Sequence, residues 1–186
     1  MHDHPTMKRL IPLLALLLLP AFASADTIDL GTRGTLALTV PKGWTLSSQK
    51  EEDSGFAITL SPPAGVNAKL LLNIAFVPEP KPVSKDEVDE KVLSVCDQFV
   101  DASVEKKKTL RDFSLSGSAF GSYCVFTDAS LVGQPAKPNE FKVIGIGIIR
   151  YSDEVMAAVS VAGDDEKGPE FAAMTAAVSG TSLAKK

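Results

Sequence analysis

Apolar and polar residues alternate over the first third of the chain, which is the pattern of β-strands with one buried face. The segment 36–40 alternates in this way and ends at turn residues over 41–43. A second apolar run covers 56–60. A third, over 70–77, is almost continuously apolar, which is typical of a strand buried on both faces. The pattern therefore predicts three strands before residue 78.

The hydrophobic period changes to that of a helix after the proline-rich segment 78–82. Ser84, with Glu87 three residues later, has the sequence of a capping box, in which both side chains bind free backbone N–H groups. Apolar residues then recur every three or four positions, and the lysine triplet 106–108 would lie at the negative end of the helix dipole. The pattern predicts one long helix from Ser84 to these lysines.

Period-two alternation returns after this helix and predicts four further strands connected as hairpins. A last helix begins near Gly168 and Pro169, where proline is tolerated in the first turn, and it ends at Gly180. The order of elements predicts an α+β fold: a mainly antiparallel sheet with one long central helix and a C-terminal helix packed on it. The four later strands are placed at 111–116, 119–131, 140–151 and 154–162.

The beginning of the chain has the pattern of a secretory leader. Two basic residues are followed by an apolar run over 10–22 and by small residues at the positions that a signal peptidase reads, just before Asp26. The apolar run is shorter than the roughly 20 residues of a membrane-spanning helix. We therefore predict a signal peptide over 1–25, cleaved between Ala25 and Asp26, and one domain over 26–186. Cleavage after Ala23 is the alternative.

Removal of this leader changes the charge and composition of the chain. It takes away Lys8, Arg9 and Asp3, which leaves 17 basic and 22 acidic residues and a formal charge of −5. A chain of this charge is a poor ligand for nucleic acid. Both histidines, His2 and His4, leave with the leader. We expect a periplasmic or secreted protein with no stable membrane anchor.

The absence of histidine after residue 25 excludes most of the candidate catalytic and metal-binding sites. Neither a Ser-His-Asp nor a Cys-His arrangement can be built, and a histidine-based metal site is excluded. The phosphate-binding and dinucleotide-binding motifs are also missing. We therefore expect a non-enzymatic protein with no cofactor and no metal site. A hydrolase that uses two carboxylates stays open as an alternative, because acid and base need only the right separation.

Three residues are candidates for contact with a ligand or partner. Gly145 and Gly147 lie on one face of a predicted strand, where missing side chains leave a shallow trough. The trough can receive a packed helix or form a pocket for a small apolar ligand. Trp44, the single tryptophan, is either a core anchor or a binding hot spot.

The two cysteines are predicted to be neighbours joined by a disulfide. Cys96 lies in the apolar stripe of the long helix, and Cys124 shares a strand face with Phe120 and Phe126. An oxidising compartment lets such a bond persist, and two cysteines leave one connectivity. Two buried free thiols are the alternative.

The strand at 36–40 that runs into Pro41-Lys42-Gly43-Trp44, followed by a mid-chain helix, further strands and a closing helix, resembles the PsbP-like family. That family includes the extrinsic photosystem II subunit and DcrB-like periplasmic proteins. The resemblance covers most of residues 27–181. It implies an α/β/α sandwich and a non-enzymatic role in assembling or stabilising partner complexes, and it transfers no catalytic residues.

Taken together, these features predict an exported non-enzymatic module that binds a protein partner in the cell envelope or supports assembly there. The first alternative is a protein that binds a small apolar ligand in the trough at Gly145 and Gly147. The second alternative is the carboxylate-based hydrolase.

Overall fold

The computed structural model describes residues 24–52, 54–135 and 137–185. These residues form two α-helices, α1 (Lys85–Val100) and α2 (Pro169–Ser179), and two short 3-10 helices, Gly31–Arg33 and Ala129–Leu131. The strands are, in chain order, β1 (Ser24–Asp29), β2 (Thr35–Val40), β3 (Thr45–Glu51), β4 (Gly55–Ser61), β5 (Lys69–Phe76), β6 (Arg111–Asp112), β7 (Phe120–Thr127), β8 (Val143–Arg150), β9 (Val155–Gly163) and β10 (Ser182–Ala184).

The strands pair into two antiparallel sheets. The smaller has the order β1-β2-β10, and the larger has the order β3-β4-β5-β9-β8-β7-β6. Two meanders, β3 to β5 and β6 to β9, make up the larger sheet and meet where β5 pairs with β9. The segment that contains α1 connects the two meanders, so it crosses from the centre of the sheet to its β6 edge.

The larger core lies between one face of the seven-stranded sheet and a layer made of the three-stranded sheet and α2. Leu36 and Leu38 of β2, Leu70 and Leu72 of β5, and Met174 of α2 are all buried in it. Alternate residues of each strand face this core, which follows from the period-two geometry of strands. Burial of each such side chain contributes about 1.5–3 kcal/mol relative to exposure.

The opposite face of the seven-stranded sheet is covered over β7 and β8 by α1. Val88, Val92 and Cys96 of the helix contact Cys124 and Phe126 of β7 in a second, smaller core. The apolar stripe that the sequence predicts for this helix is therefore the face that packs on the sheet.

Both helices begin where the sequence predicts. Ser84 caps α1: its hydroxyl oxygen accepts the N–H of Glu87 at 3.2 Å, and the carboxylate of Glu87 accepts the N–H of Ser84 at 2.7 Å. Pro169 is the first residue of α2. Gly180 follows α2 and donates its N–H to the carbonyl of Ala176 at 2.8 Å. These caps confirm the predicted helix starts and the predicted end of α2.

The predicted fold class is wrong. The described residues are mostly antiparallel sheet, with 42% strand and 21% helix, and they form two sheets and two short α-helices in place of one sheet with a long central helix. The α/β/α sandwich that the resemblance implies is also wrong. The layer on the side of the large sheet opposite α1 contains the three-stranded sheet as well as α2. The missed strands β1, β3 and β10 bury too few side chains to alternate clearly.

The end of α1 also differs from the prediction. The helix stops at Val100 because Ser103 turns the chain: its hydroxyl donates to the carbonyl of Val100 at 2.9 Å and accepts the N–H of Lys106 at 3.1 Å. Lys106 has a left-handed φ of 53°. The lysine triplet therefore lies in a loop, and the strand predicted at 111–116 is reduced to the two residues of β6.

The predicted leader lies largely outside the described residues, which begin at Ser24. Ala25 and Asp26, the predicted cleavage site, lie in β1 opposite Thr39 and Leu38 of β2. The signal peptide, its cleavage and export of the chain stay predictions. Of the helices in the described part of the chain, neither has the length and apolar character to span a bilayer.

Candidate functional site

β3, an edge strand of the large sheet, is exposed over most of its length. Leu46 is partly covered, and the other six residues of Thr45–Glu51 are exposed. Within the described residues β3 pairs with β4 alone, so its outer edge presents unpaired backbone N–H and C=O groups. Such an edge can add a further strand from another chain through main-chain hydrogen bonds.

The turn between β3 and β4 fixes this edge strand. Ser54 donates its N–H and its hydroxyl to the carbonyl of Glu51, at 2.9 and 2.7 Å. Gly55 opens β4 with a φ of 154°, and a Cβ there would lie 1.8 Å from the carbonyl oxygen of Ile74. Only glycine fits this position. The turn therefore sets the register, in which Glu51 lies opposite Gly55.

A cleft of about 520 Å³ adjoins the end of β3. On its wall the guanidinium of Arg33 lies 4.2 Å from the centre of the Phe76 ring, a cation–π contact. The Phe56 ring meets Phe76 edge-on, with 6.2 Å between ring centres. The lining thus combines charges of both signs with two phenyl rings: Asp29, Arg33, Lys50, Glu52, Phe56 and Phe76. It can receive either an apolar or a charged side chain.

Arg33 is positioned by the short 3-10 helix that follows β1. The carboxylate of Asp29 accepts the N–H of Gly31 at 2.9 Å. The N–H of Leu30 bonds to the carbonyl of Gly34 at 2.9 Å, where Gly34 has a φ of 114°. These bonds close a compact loop, and the loop holds Arg33 over the ring of Phe76.

The trough predicted at Gly145 and Gly147 is filled by the protein itself. A Cβ on Gly145 would lie 2.5 Å from Val161 and 3.3 Å from the ring of Phe171 on α2. A Cβ on Gly147 would lie 2.8 Å from the ring of Phe113. Close packing therefore fills the trough: a helix covers Gly145, as one alternative predicted, and Phe113 from a loop covers Gly147.

Trp44 lies in the connection between β2 and β3, where its N–H bonds to the carbonyl of Pro41 at 3.0 Å. Its side chain is partly buried and packs against the larger core. This packing fits the core-anchor interpretation of Trp44. Trp44 is not among the residues that line the cleft, and its described packing is against the larger core.

Cys96 and Cys124 are both buried in the core under α1 and carry free thiols in the structure. Burial, and to a lesser extent the neighbouring Cys124, raise the pKa of the Cys96 thiol from 9.0 to about 12. A thiol of this pKa is a weak nucleophile at neutral pH. The structure describes the reduced pair, and the disulfide stays a prediction.

The described carboxylates form no metal-binding cluster, and Asp89 among them binds other side chains of the protein. No group of three or more histidine, cysteine, aspartate or glutamate residues in this part of the chain could hold a metal ion. Burial raises the pKa of Asp89, but hydrogen bonds from Lys85 and Ser122, both at 2.7 Å, lower it more, so its net shift is downward. This ionised carboxylate ties α1 to β7.

Sequence reasoning missed β3, Arg33 and Phe76 as a candidate site. A signal for the strand is nonetheless present: the segment 45–51, which includes threonine, serine and glutamine, lies between the turn residues 41–43 and Gly55. The cleft could not be inferred in this way, because it depends on the approach of the loop after β1 to the β3–β4 hairpin.

No protein-family model matches the chain, and no curated protein matches it in sequence. The PsbP-like resemblance therefore stays a prediction.

Proposed function

We propose that this chain is an exported, non-enzymatic binding module that takes an extended segment of a protein partner on the edge of β3. The observation that carries the proposal is the exposed seven-residue edge strand, with its cleft at one end. Main-chain hydrogen bonds to β3 supply affinity without regard to sequence. The cleft supplies selectivity, because it receives one side chain of the added segment.

The chemistry of the cleft indicates what that side chain is. Phe56 and Phe76 offer apolar surface, while Lys50 and Arg33 flank it with positive charge. A large apolar side chain followed by an acidic residue in the partner segment fits both features, and Glu52 disfavours a second acidic group. The module is therefore expected to bind a short extended motif in a partner of the envelope.

The alternative function, binding of a small apolar ligand, has no support at the trough, because side chains of the protein fill the space beside Gly145 and Gly147. The carboxylate-based hydrolase has no observation in its favour: the cleft lining holds Asp29 and Glu52, and Asp29 already accepts a backbone N–H. We therefore carry the partner-binding function forward alone.

The experiment is capture of partners from the native envelope with residues 26–186 as bait, compared with two proline variants, Ser47→Pro and Ser48→Pro. Neighbouring residues on an edge strand point their N–H groups alternately at β4 and outward. Proline at the inward position breaks a hydrogen bond to β4 and lowers the melting temperature. Proline at the outward position keeps the fold intact and removes one N–H donor from the free edge.

We expect a protein retained by the unaltered bait to be lost with the proline variant that keeps the melting temperature. Lys50→Ala should weaken capture, and Lys42→Ala, an exposed lysine in the turn before β3, is the matched control that should not. Equal capture by all four variants would show that the partner binds elsewhere.

A further inference from the structure

A second cleft, of about 250 Å³, adjoins the cleft beside β3. The two clefts share Thr32 and Arg33, and the guanidinium of Arg33 lies 4.2 Å from the centre of the Phe76 ring. The lining of the second cleft consists entirely of polar and charged residues: Thr32, Arg33, Ser152, Asp153, Glu154 and Lys185. A segment that occupies the cleft beside β3 can therefore continue past Arg33 into a polar cleft.

The positive and negative residues of the second cleft come from different layers of the fold. Arg33 lies in the loop after β1, and Lys185 directly follows β10, so both belong to the layer of the small sheet. Asp153 and Glu154 lie in the turn between β8 and β9 of the large sheet. A segment that lies between these layers consequently has positive charge on one side and negative charge on the other.

The fold leaves much of this charge unpaired. Neither Glu154 nor Lys185 forms an ion pair with another described residue, and both are exposed. Asp153 is partly balanced by the buried Arg150, whose Nη2 lies 3.7 Å from the Asp153 carboxylate, and 57% of the Asp153 side chain is exposed. Opposite charges that line one cleft without pairing to each other favour an occupant that carries both.

We propose that the partner segment on β3 carries an acidic and a basic residue in adjacent positions, and that the second cleft binds this pair. The inference rests on the proposed function and specifies the motif that the module selects. Neighbouring side chains of an extended chain point to opposite sides. The acidic side chain therefore faces Arg33 and Lys185. The basic side chain faces Glu154 and Asp153.

The motif as a whole is a large apolar residue, then an acidic residue, then a basic residue. The apolar residue lies against Phe56 and Phe76, and the charged pair follows it past Arg33. A free amino acid also carries both charges, but ion pairs with exposed side chains are weak by themselves. Main-chain hydrogen bonds to β3 supply the remaining affinity for a longer segment.

The probe is a phage-displayed library of random ten-residue segments. It is selected in parallel on the purified protein and on two charge-reversal variants, Glu154→Lys and Glu90→Lys. Glu90 lies on the exposed side of α1 and is the matched control. Neither glutamate forms an ion pair with another described residue, so both variants should keep the melting temperature.

The unaltered protein and Glu90→Lys should both enrich segments with the apolar, acidic and basic residues in that order. With Glu154→Lys, the preference for a basic residue should disappear. A segment selected on the unaltered protein should bind Glu154→Lys about two- to tenfold more weakly, because an attraction is replaced by a repulsion. Exchange of the basic residue in that segment for glutamate should restore its binding to the variant.

The outcomes separate this inference from the proposed function. Segments that depend on β3 but show no basic preference would overturn the inference alone. So would a basic preference that persists with Glu154→Lys, or one that Glu90→Lys also abolishes, which indicates a general charge effect. Segments that bind equally to the edge-proline variant that keeps its melting temperature, or a library that yields none, would overturn the proposed function and the inference with it.

Discussion

At the scale of the residue, the two glycines of β8 show how one sequence feature served two opposite interpretations. Gly145 and Gly147 predicted either close packing or a pocket. What decides between them is the position of Phe113 and Phe171, which come from a loop and from α2. The sequence of β8 does not determine where those two rings lie. It therefore predicts the trough but not which side chains fill it.

Gly147→Ala should destabilise the protein by about 1–3 kcal/mol, the usual effect of overpacking. Its Cβ would lie 2.5 Å from the carbonyl oxygen of Ser122 and 2.7 Å from the Cβ of Tyr123, neither of which can rotate away. Gly163→Ala is the control, because its nearest neighbour is the Cε of Met174 at 3.8 Å. Urea unfolding measures both. Equal stability of the two variants would contradict the close packing at Gly147.

Tyr151 links stability to alkaline pH. Burial raises its pKa from 10.0 to about 12. The hydroxyl of Thr181 already donates to Val178, so at 2.7 Å the phenol is the donor to Thr181. The folded state thus favours the protonated phenol. Its stabilising effect is complete below pH 10 and is lost as the pH rises from about 10 to 12.

We therefore expect the free energy of unfolding to fall more steeply with pH in the unaltered protein than in Tyr151→Phe across this window. Below pH 10 the variant should be less stable by about 0.5–1.5 kcal/mol, because it lacks one hydrogen bond. Chemical unfolding at several pH values gives both curves. Parallel curves up to pH 12 would mean that the phenol ionises as it does in water.

At the scale of the element, predictions succeeded where a single segment holds the information. Ser84 and Glu87 specify the start of α1, and both hydrogen bonds of the capping box are present. The end of α1 depends on Ser103, whose hydroxyl competes for backbone groups, and this was missed. β3 was missed because an edge strand exposed on both faces has no apolar alternation to detect.

Ser84→Ala should destabilise the protein by about 1 kcal/mol, since the helix then loses the acceptor for the N–H of Glu87. Ser94→Ala is the matched control: it lies on the exposed face of α1, away from the cap. Thermal or urea unfolding measures the difference. If Ser94→Ala is as destabilising as Ser84→Ala, the cap does not hold the start of α1.

The disulfide prediction concerns how α1 is attached to β7. Cys96 and Cys124 face each other across this contact as buried thiols. In exported protein denatured without reductant, we expect thiol labelling to find neither cysteine free. Closing a loop of this length stabilises by about 3–4 kcal/mol in the chain-entropy model, so reduction should lower the melting temperature. Two labelled thiols would establish the free pair instead.

At the scale of the whole molecule, the second sheet is what sequence reasoning did not reach. β1 and β10 come from opposite ends of the described chain and pair with the two edges of β2, and β10 has three residues. Their alignment is set by Leu36 and Leu38, which must face the larger core, and not by a signal in either strand. The cleft also depends on a long-range contact, since it forms where the loop that contains Arg33 approaches the β3–β4 hairpin.

The central claim is that β3 receives an added strand, and amide hydrogen exchange tests it most directly. In the free chain, the amides of Thr45–Glu51 that point away from β4 should exchange rapidly, because β3 is exposed and unpaired on that side. In the complex with the captured partner, those same amides should become protected while α1 is unchanged. Protection confined to other strands or to α1, with β3 still exchanging rapidly, would contradict the account.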